Sequence, residues 1–320
     1  MADGGQHAAV AFAPASIGNL AVGFDVLGLA IAGAGDRVSA ERSATPGVHI
    51  ADITGDGIGA DAHLLSRDAA ANTAGIAAAA VWRAGGERGG LSLLLHKGTP
   101  LGSGMGSSAA SAVAGAVAAN ALLESPLDDA ALLDAALEGE AFASGARHAD
   151  NVAPSLFGGL VLCPPASLPR CERLRLPDGL SSVLVHPHLR VDTAASRLGL
   201  APSVPLATAV TQAGLLAQFV HACATGDREL AALSLKDAMI EPQRAQCVPC
   251  FDAVKTAALG GGALGASLSG SGPSMFANAD TALARGVADA MCAAFAQAGL
   301  GCEYWVSPAN APGARLESAV

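Results

Sequence analysis

The sequence predicts an α+β fold, in which strands and helices are mixed without a strict β-α-β order. Short apolar runs bounded by glycine and proline are typical of strands, and the longer alanine-rich segments are typical of helices. The chain has 320 residues, which is enough for one large domain or for two of about 150 residues each.

The composition indicates a globular protein with a core of small side chains. Hydrophobic residues make up 51% of the chain, aromatic residues 3% and charged residues 14%, so alanine, valine and leucine must build the core. A net charge of −10 without any basic run argues against a nucleic acid or an anionic membrane as partner. The first ten residues contain no lysine or arginine, so we expect no signal peptide and a cytoplasmic protein. The scattered cysteines fit a reduced compartment.

In the first half of the chain, Gly33-Ala34-Gly35 predicts a hairpin turn between two strands. Asn72 is a good N-cap for the helix that follows it. The predicted strands cover residues 8–14, 26–32, 36–42, 91–97 and 160–163, and the predicted helices cover 73–84, 108–123 and 128–144.

A proline-rich stretch from 164 to 177 suggests a boundary, and we predict domains at 1–163 and 164–320. The second half repeats the mixture of elements. Its predicted strands are 181–186, 263–269, 274–278 and 302–306, and its predicted helices are 192–198, 206–225, 228–238, 249–259 and 280–298.

The most informative segment is P-L-G-S-G-M-G-S-S-A-A-S at 100–111, between a predicted strand and a predicted helix. A glycine loop at a helix start offers backbone N–H groups and the positive end of the helix dipole to an anion. Ser107 breaks the dinucleotide pattern G-x-G-x-x-G and also stands where a Walker loop needs lysine. Since Lys97 precedes the loop, the sequence predicts a nucleotide-phosphate loop of a third kind. A tight turn without a ligand is the alternative.

Three further segments carry polar side chains in a charge-poor chain: residues 16–28, 138–151 and 268–274. Glu140 would complete a Mg²⁺ shell together with Ser108 and phosphate oxygens, because Mg²⁺ prefers a few protein oxygens plus phosphate. The structural alternatives are a turn for Asn19, a cap for Asp25, a solvated helix face for Glu140, a structural role for His148 and a glycine-rich hairpin for 268–274.

With these segments assembled, the chain resembles the GHMP kinase superfamily (galacto-, homoserine, mevalonate and phosphomevalonate kinases) over nearly its full length. Residues 100–109 are similar to the superfamily loop P-x-x-x-G-L-G-S-S-A, with Met105 in place of the usual leucine. Residues 269–273 resemble its C-terminal glycine motif. The segments 14–28, 148–159, 193–197 and 241–244 resemble motifs of the homoserine-phosphorylating members, although Ala21 stands where many members have glycine.

The resemblance implies a two-domain fold, with an N-terminal domain like a ribosomal-protein domain and a ferredoxin-like C-terminal domain. It implies ATP-dependent phosphorylation of the L-homoserine hydroxyl to O-phospho-L-homoserine for threonine biosynthesis, with ADP as the other product, by a homodimer. The implied ATP-binding residues are Asn72, Pro100, Leu101, Gly102, Ser103, Gly104, Met105, Gly106, Ser107, Ser108, Ala109 and Ala110. The implied substrate-binding residues are Asn19, Asp25, His148, Asn151, Thr193, Arg197 and Arg244. Ser108 and Glu140 would bind Mg²⁺, and Ser108, Glu140 and Asn151 would form the catalytic group.

The residue types suit a small zwitterion. Arg197 and Arg244 would bind its carboxylate as forks, and Asp25 would bind its ammonium group. Asn151 stands where many relatives carry an aspartate base, so we expect no strong protein base. Two alternatives stay open: a related kinase acting on another small alcohol, and a nucleotide-binding relative without turnover.

Overall fold

The computed structural model describes residues 7–56 and 59–319. Its strands are β1 (Ala8–Gly18), β2 (Leu27–Ser43), β3 (Gly47–Thr54), β4 (Gly90–His96), β5 (Leu160–Leu162), β6 (Glu172–Leu174), β7 (Leu180–Pro187), β8 (Ala263–Leu268), β9 (Met275–Asp280), β10 (Cys302–Pro308) and β11 (Arg315–Ala319). Its helices are α1 (Thr73–Ala84), α2 (Ser107–Ala121), α3 (Asp129–Ser144), α4 (Val152–Phe157), α5 (Thr193–Leu198), α6 (Leu206–Thr225), α7 (Arg228–Ser234), α8 (Glu241–Arg244), α9 (Phe251–Gly260) and α10 (Ala284–Gln297).

Two sheets organise these elements. The first has seven strands in the order β11-β1-β2-β4-β3, with β5 pairing β2 and β6. The second has four strands in the order β10-β7-β9-β8, and all of its pairs are antiparallel. Helices α1, α2 and α3 bury their alanine-rich surfaces in the core of the first sheet. The predicted α+β class is confirmed.

The predicted hairpin at Gly33-Ala34-Gly35 is wrong, because β2 is one continuous strand of 17 residues. The actual hairpin joins β1 to β2 through residues 19–26. The glycines serve a close approach within the sheet instead: Gly33 has a φ of +89°, and a Cβ on Gly35 would lie 2.3 Å from the Ala13 carbonyl oxygen. Glycine therefore signals an irregular pairing with β1 here, where the register shifts.

The sheets do not follow the predicted division at residue 163. Strand β6 lies beyond that residue and β11 is near the end of the chain, yet both pair within the first sheet. Their patterns are too short to predict from sequence. The domain boundaries 1–163 and 164–320 therefore stay a prediction. Strands β6 and β11 lie in the second of these ranges but belong to the sheet of the first.

Small residues bring α1, α2 and α3 together. A Cβ on Gly115 of α2 would lie 2.6 Å from the Ala74 carbonyl oxygen, and one on Gly139 of α3 would lie 2.4 Å from the Thr73 carbonyl oxygen. No larger residue fits at these contacts without a shift of backbone. The tight packing places Ser108 at the start of α2 beside Glu140 on α3.

Helix α6 is the one helix within 7–56 and 59–319 that is long and apolar enough, by length and composition alone, to cross a membrane. Its inward residues include Gln212 and Phe219, which are buried against the protein. Gln212 Nε2 donates a hydrogen bond to the Val22 carbonyl, 2.9 Å away. This contact ties α6 to the β1–β2 loop.

Candidate functional site

A cleft of about 730 Å³ lies between the glycine loop before α2 and the start of α5. The loop that joins β8 to β9 closes another side of it. The lining includes predicted residues from distant parts of the chain: Asn72, Leu101, Gly102, Ser103, Gly104, Gly106, Ser107, Ser108, Glu140, Asn151 and Thr193.

The glycine loop has the backbone that the sequence predicted. Gly102, Gly104 and Gly106 have φ values of +60°, +75° and +66°, a region that favours glycine. Gly106 is the N-cap of α2 and provides no side-chain cap. The first N–H groups of a helix have no partner within the helix, so the start of α2 can accept an anion.

Four of the predicted ATP-binding residues do not line this cleft: Pro100, Met105, Ala109 and Ala110. Met105, Ala109 and Ala110 are fully buried. Met105 packs in a core cluster with residues such as Phe276 of β9. The side chains of Met105, Ala109 and Ala110 support the shape of the loop, and the Met105 N–H and carbonyl are already bonded to Ser103 Oγ and the Ser16 N–H.

The two glycine-rich loops hold each other. Ser269 Oγ donates to the Gly104 carbonyl oxygen at 2.6 Å, and the Ser274 N–H donates to the Ser103 carbonyl at 3.1 Å. A Cβ on Gly104 would lie 2.5 Å from the Ser269 carbonyl oxygen. The segment 268–274 is thus both the hairpin turn between β8 and β9 and a support for the phosphate loop.

Lys97 lies beneath the loop and is buried. Its Nζ pairs with Asp36 and donates to Ser107 Oγ and Ser111 Oγ, both at 2.8 Å. Asp36 Oδ1 in turn accepts from Thr99 Oγ1 at 2.7 Å. Sequence reasoning excluded Lys97 as a Walker lysine and missed its partner. A charged residue at a strand end directly before a glycine loop was the available signal.

Ser108 and Glu140 meet as predicted, and Ser108 Oγ donates to Glu140 Oε2 at 2.7 Å. Glu140 is buried, and desolvation raises its pKa from 4.5 to about 7, against the hydrogen bonds from Ser108 and Ser144. Across the described parts of the chain no cluster of three or more acidic, histidine or cysteine residues could hold a metal. Two hard oxygen donors fit Mg²⁺ only if phosphate and water supply its other ligands.

Backbone strain marks the loop between β1 and β2. Asn19, Leu20, Ala21 and Asp25 all have positive φ values, between +44° and +69°, which are unfavourable for most non-glycine residues. The φ of +59° at Ala21 explains why glycine suits this position. Asn19 secures the loop, because its Oδ1 accepts from the Asp25 N–H at 3.0 Å and its Nδ2 donates to the Gly270 carbonyl at 3.2 Å.

Asp25, Arg197 and His148 form one cluster. Both Nη groups of Arg197 donate hydrogen bonds to the Asp25 carboxylate, at 2.6 and 3.1 Å. His148 Nδ1 is 3.4 Å from Asp25 Oδ2 but lacks hydrogen-bond geometry. Desolvation lowers the pKa of His148 below 6.5, although Asp25 opposes this shift.

Arg244 reaches the same cluster from α8. Its Nη1 donates to the Gly270 carbonyl at 3.1 Å, while its buried Nε finds no partner in the described parts of the chain. The guanidinium carbons of Arg244 and Arg197 each lie 5.4 Å from the centre of the Phe24 ring. Phe24 thus contacts both cations, a role that sequence reasoning missed. An unpartnered buried donor beside a carboxylate is the mark of a site for a polar ligand.

Asp150 and Asn151 connect the two ends of the site. Asn151 Nδ2 donates to Asp150 Oδ2 at 3.3 Å, and Asn151 Oδ1 accepts from Ser16 Oγ at 2.9 Å. Asp150 is buried, and its pKa is raised from 3.8 to about 7 by desolvation and by the charges of Asp25 and Glu140. The sequence did not single out Asp150 as a site residue.

Two predicted residues have mainly supporting contacts. Asn72 Oδ1 accepts from the Ala74 and Gly75 N–H groups, and Asn72 Nδ2 donates to the Ser66 carbonyl. Its side chain thus shapes the cleft wall and caps α1. Thr193 Oγ1 lies 3.3 Å from Ser271 Oγ, which links α5 to the second glycine-rich loop.

Comparison with known proteins agrees with this geometry. The sequence profile of the GHMP kinases N terminal domain matches residues 72–159, and that of the GHMP kinases C terminal domain matches residues 219–297. A homoserine kinase from Xanthomonas campestris is 45% identical over 98% of this chain and 95% of its own. One from Chlorobaculum tepidum is 41% identical over 96% of this chain and 97% of its own.

Solved structures give the same result. The crystal structure of homoserine kinase from Cytophaga hutchinsonii superimposes with a TM-score of 0.91, at 40% identity, over 97% of both chains. Galactokinase from Lactococcus lactis has a TM-score of 0.68 at 14% identity, covering 96% of this chain and 95% of its own, and so shares the fold alone. This fold and phosphate loop define a GHMP kinase. Within that superfamily, the chain belongs to the homoserine kinase family.

Proposed function

We propose that the protein transfers the γ-phosphoryl group of ATP to the hydroxyl of L-homoserine, forming O-phospho-L-homoserine and ADP in threonine biosynthesis. One observation carries the proposal. A carboxylate and two arginines, Asp25, Arg197 and Arg244, adjoin the phosphate loop through the second glycine-rich loop. Relatives over 40% identical across nearly the whole chain carry the name homoserine kinase.

The loop from Pro100 to Ala110 would bind the nucleotide phosphates through its backbone N–H groups and the start of α2. Ser108 and Glu140 would hold Mg²⁺, which neutralises phosphate charge when bound. Phosphoryl transfer depends mainly on positioning and electrostatic stabilisation. The demand on the protein is therefore to hold the acceptor hydroxyl in line with the γ-phosphate.

The zwitterion would bind beside an existing ion pair. Arg197 donates two hydrogen bonds to Asp25 in this structure. Because a carboxylate offers about four acceptor positions, Asp25 can also accept a hydrogen bond from an ammonium group. Arg244 would give its unpartnered Nε to the substrate carboxylate, with help from Arg197. His148 would line the ammonium site beside Asp25. The amide of Asn151 would orient the hydroxyl, and Asn19 and Thr193 would hold the two walls.

A coupled ADP-release assay tests the proposal, with L-homoserine, mevalonate, galactose and shikimate as candidate acceptors. We expect turnover with L-homoserine that depends on Mg²⁺. Turnover with another alcohol alone would indicate a different GHMP kinase activity, and ADP binding without turnover on any acceptor would indicate a nucleotide-binding relative. A cytoplasmic location and a homodimer belong to the same proposal, and sedimentation of the purified chain would test the dimer.

The acceptor hydroxyl would lose its proton late in the transfer, to a phosphate oxygen or to solvent, since the Asn151 amide cannot accept it. Asp150 would act on Asn151 through their hydrogen bond. We expect Asp150→Asn to lower kcat by less than about tenfold, because loss of a general base typically costs about 10²- to 10⁴-fold. The measurement is kcat against pH from 5.5 to 9, alongside the thermal unfolding curve.

Asp150 would instead be the base if the folded Asp150→Asn variant lost more than about a hundredfold in kcat and also lost an ionisation near its pKa of about 7. The companion variant Asn151→Asp places a carboxylate at residue 151, where many relatives carry an aspartate base. A strong rise in its kcat would show that the reaction is limited by the absence of a base.

A further inference from the structure

The positive charges that line the cleft are few. Among the described residues, the lysine and arginine side chains in its wall are Lys97 and Arg190. Lys97 is buried and neutralised by Asp36, so its charge is largely compensated within the protein. Arg190 is therefore the other cation of this wall, and Asp36 does not neutralise it.

Arg190 lies in the connection between β7 and α5, in the second half of the chain, and packs directly on the phosphate loop of the first half. The N–H of its neighbour Val191 donates to the Gly102 carbonyl at 2.9 Å. A Cβ on Gly102 would lie 2.6 Å from Arg190 Cγ and 3.2 Å from its Nε. The aliphatic stem thus lies against Gly102, and the guanidinium group begins at the edge of the cleft.

No anion of the described chain pairs with Arg190, and its guanidinium group makes no hydrogen bond there. The other two arginines of the site are both engaged, Arg197 with Asp25 and Arg244 with the Gly270 carbonyl. An arginine beside a glycine loop, with its fork unused, suits bidentate contact with phosphate oxygens.

Charge balance favours the same ligand. A triphosphate with one bound Mg²⁺ keeps a net negative charge, and the buried carboxyl groups of Glu140 and Asp150, in or beside the cleft, add to it when ionised. Backbone N–H groups of the loop carry only partial charges. An uncompensated cation is needed to offset this excess, and Arg190 is placed to supply it.

We propose that Arg190 binds the β- and γ-phosphates of the nucleotide, supplying from the second half of the chain the cation that the lysine-free loop lacks. The proposal rests on the assignment of this cleft to ATP under the proposed function. It does not depend on which alcohol accepts the phosphoryl group, so nucleotide binding and turnover test it separately.

The experiment measures the Kd of ATP, ADP and AMP by calorimetry for the wild type, Arg190→Gln and Arg190→Lys, with Mg²⁺ present. Hydrogen bonds to charged groups contribute about 1.5–3 kcal/mol, so Arg190→Gln should weaken ATP and ADP by about ten- to a hundredfold. AMP lacks both proposed phosphates and should bind within about twofold of the wild type. Arg190→Lys should recover part of the loss, since lysine keeps the charge but not the fork.

Arg285→Gln is the matched control, because Arg285 is also exposed, lies on α10 and lines none of the cleft. It removes the same charge from the chain and should leave all three Kd values unchanged. Unchanged ATP binding in Arg190→Gln would overturn the proposal, and so would an equal loss for AMP, which would indicate a general distortion of the loop. Failure of the wild type to phosphorylate L-homoserine, with the ATP loss intact, would overturn the proposed substrate and leave Arg190 in its role.

Discussion

Glu140→Gln is expected to abolish turnover and at the same time to stabilise the ligand-free protein above neutral pH. Turnover should fall because glutamine can keep the hydrogen bond with Ser108 but loses the charge that we propose holds Mg²⁺. We expect kcat to fall by at least about a hundredfold, which corresponds to roughly 2.7 kcal/mol of lost transition-state stabilisation. The measurement is the Mg²⁺ dependence of kcat and of ATP binding.

The stability gain follows from the raised pKa of Glu140. Burial raises it from 4.5 to about 7, so the folded state holds its proton more tightly than the unfolded state does. The free energy of unfolding therefore falls as pH rises from about 4.5 to about 7, and the full loss, up to about 3 kcal/mol, is present at pH 8. Glu140→Gln has no proton to lose and should be more stable than the wild type at pH 8, with little gain at pH 5.

Urea unfolding at pH 5 and pH 8, without nucleotide or metal, measures this difference. Glu138→Gln is the control, since Glu138 is on the same helix but its side chain is 42% exposed and pairs with Arg83. It should change neither kcat nor the pH dependence of unfolding. The decisive quantity is the unfolding free energy of folded Glu140→Gln minus that of the wild type. If this difference were no larger at pH 8 than at pH 5, the raised pKa of Glu140 would not be the cause.

Arg244→Gln is expected to raise KM for L-homoserine by at least about thirtyfold, while KM for ATP stays within about twofold. Truncating one member of a buried charge contact costs about 2 kcal/mol or more, and each 1.4 kcal/mol is tenfold in affinity. Arg244 is buried, has an unused Nε and does not line the nucleotide cleft. Steady-state kinetics with each substrate varied in turn provides the measurement.

Arg197→Gln gives a second reading of the same site in case Arg244→Gln does not fold. It releases Asp25 from its bidentate partner and should also raise KM for L-homoserine. Arg170→Gln, at an exposed arginine paired with Glu172, is the control. A parallel rise of both KM values would contradict a substrate-binding role, and so would an unchanged KM for L-homoserine.

Much of the site was readable from local pattern. The loop from Pro100 to Ala110 is contiguous, and its glycines, its first-turn serines and the following alanine-rich helix predicted both its place in the fold and its ligand class. The pair of Ser108 and Glu140 was also predicted, although it joins two helices, and the 2.7 Å contact places them together. Its role in metal binding stays a prediction.

Other parts were not readable. The hairpin expected at Gly33-Ala34-Gly35 was wrong, because glycine signals a turn and a close approach between strands alike. Asp36 and Lys97 form a buried pair, yet each looks like an ordinary charged residue in sequence. Arg190 contacts Gly102 only because the segment between β7 and α5 packs on the phosphate loop. Such contacts join residues far apart in the chain and leave no local pattern.

By itself, the sequence determined the α+β class and predicted the phosphate loop and the groups proposed to bind a metal and a small zwitterion. These follow from side-chain chemistry and from the order of neighbouring residues. Only the tertiary structure decided which charges are already satisfied. Lys97 and Arg197 have anionic partners, whereas Arg190 and the Nε of Arg244 have none among residues 7–56 and 59–319. The reason is physical: a charge is available to a ligand only when folding leaves it without a partner, and that depends on contacts across both sheets.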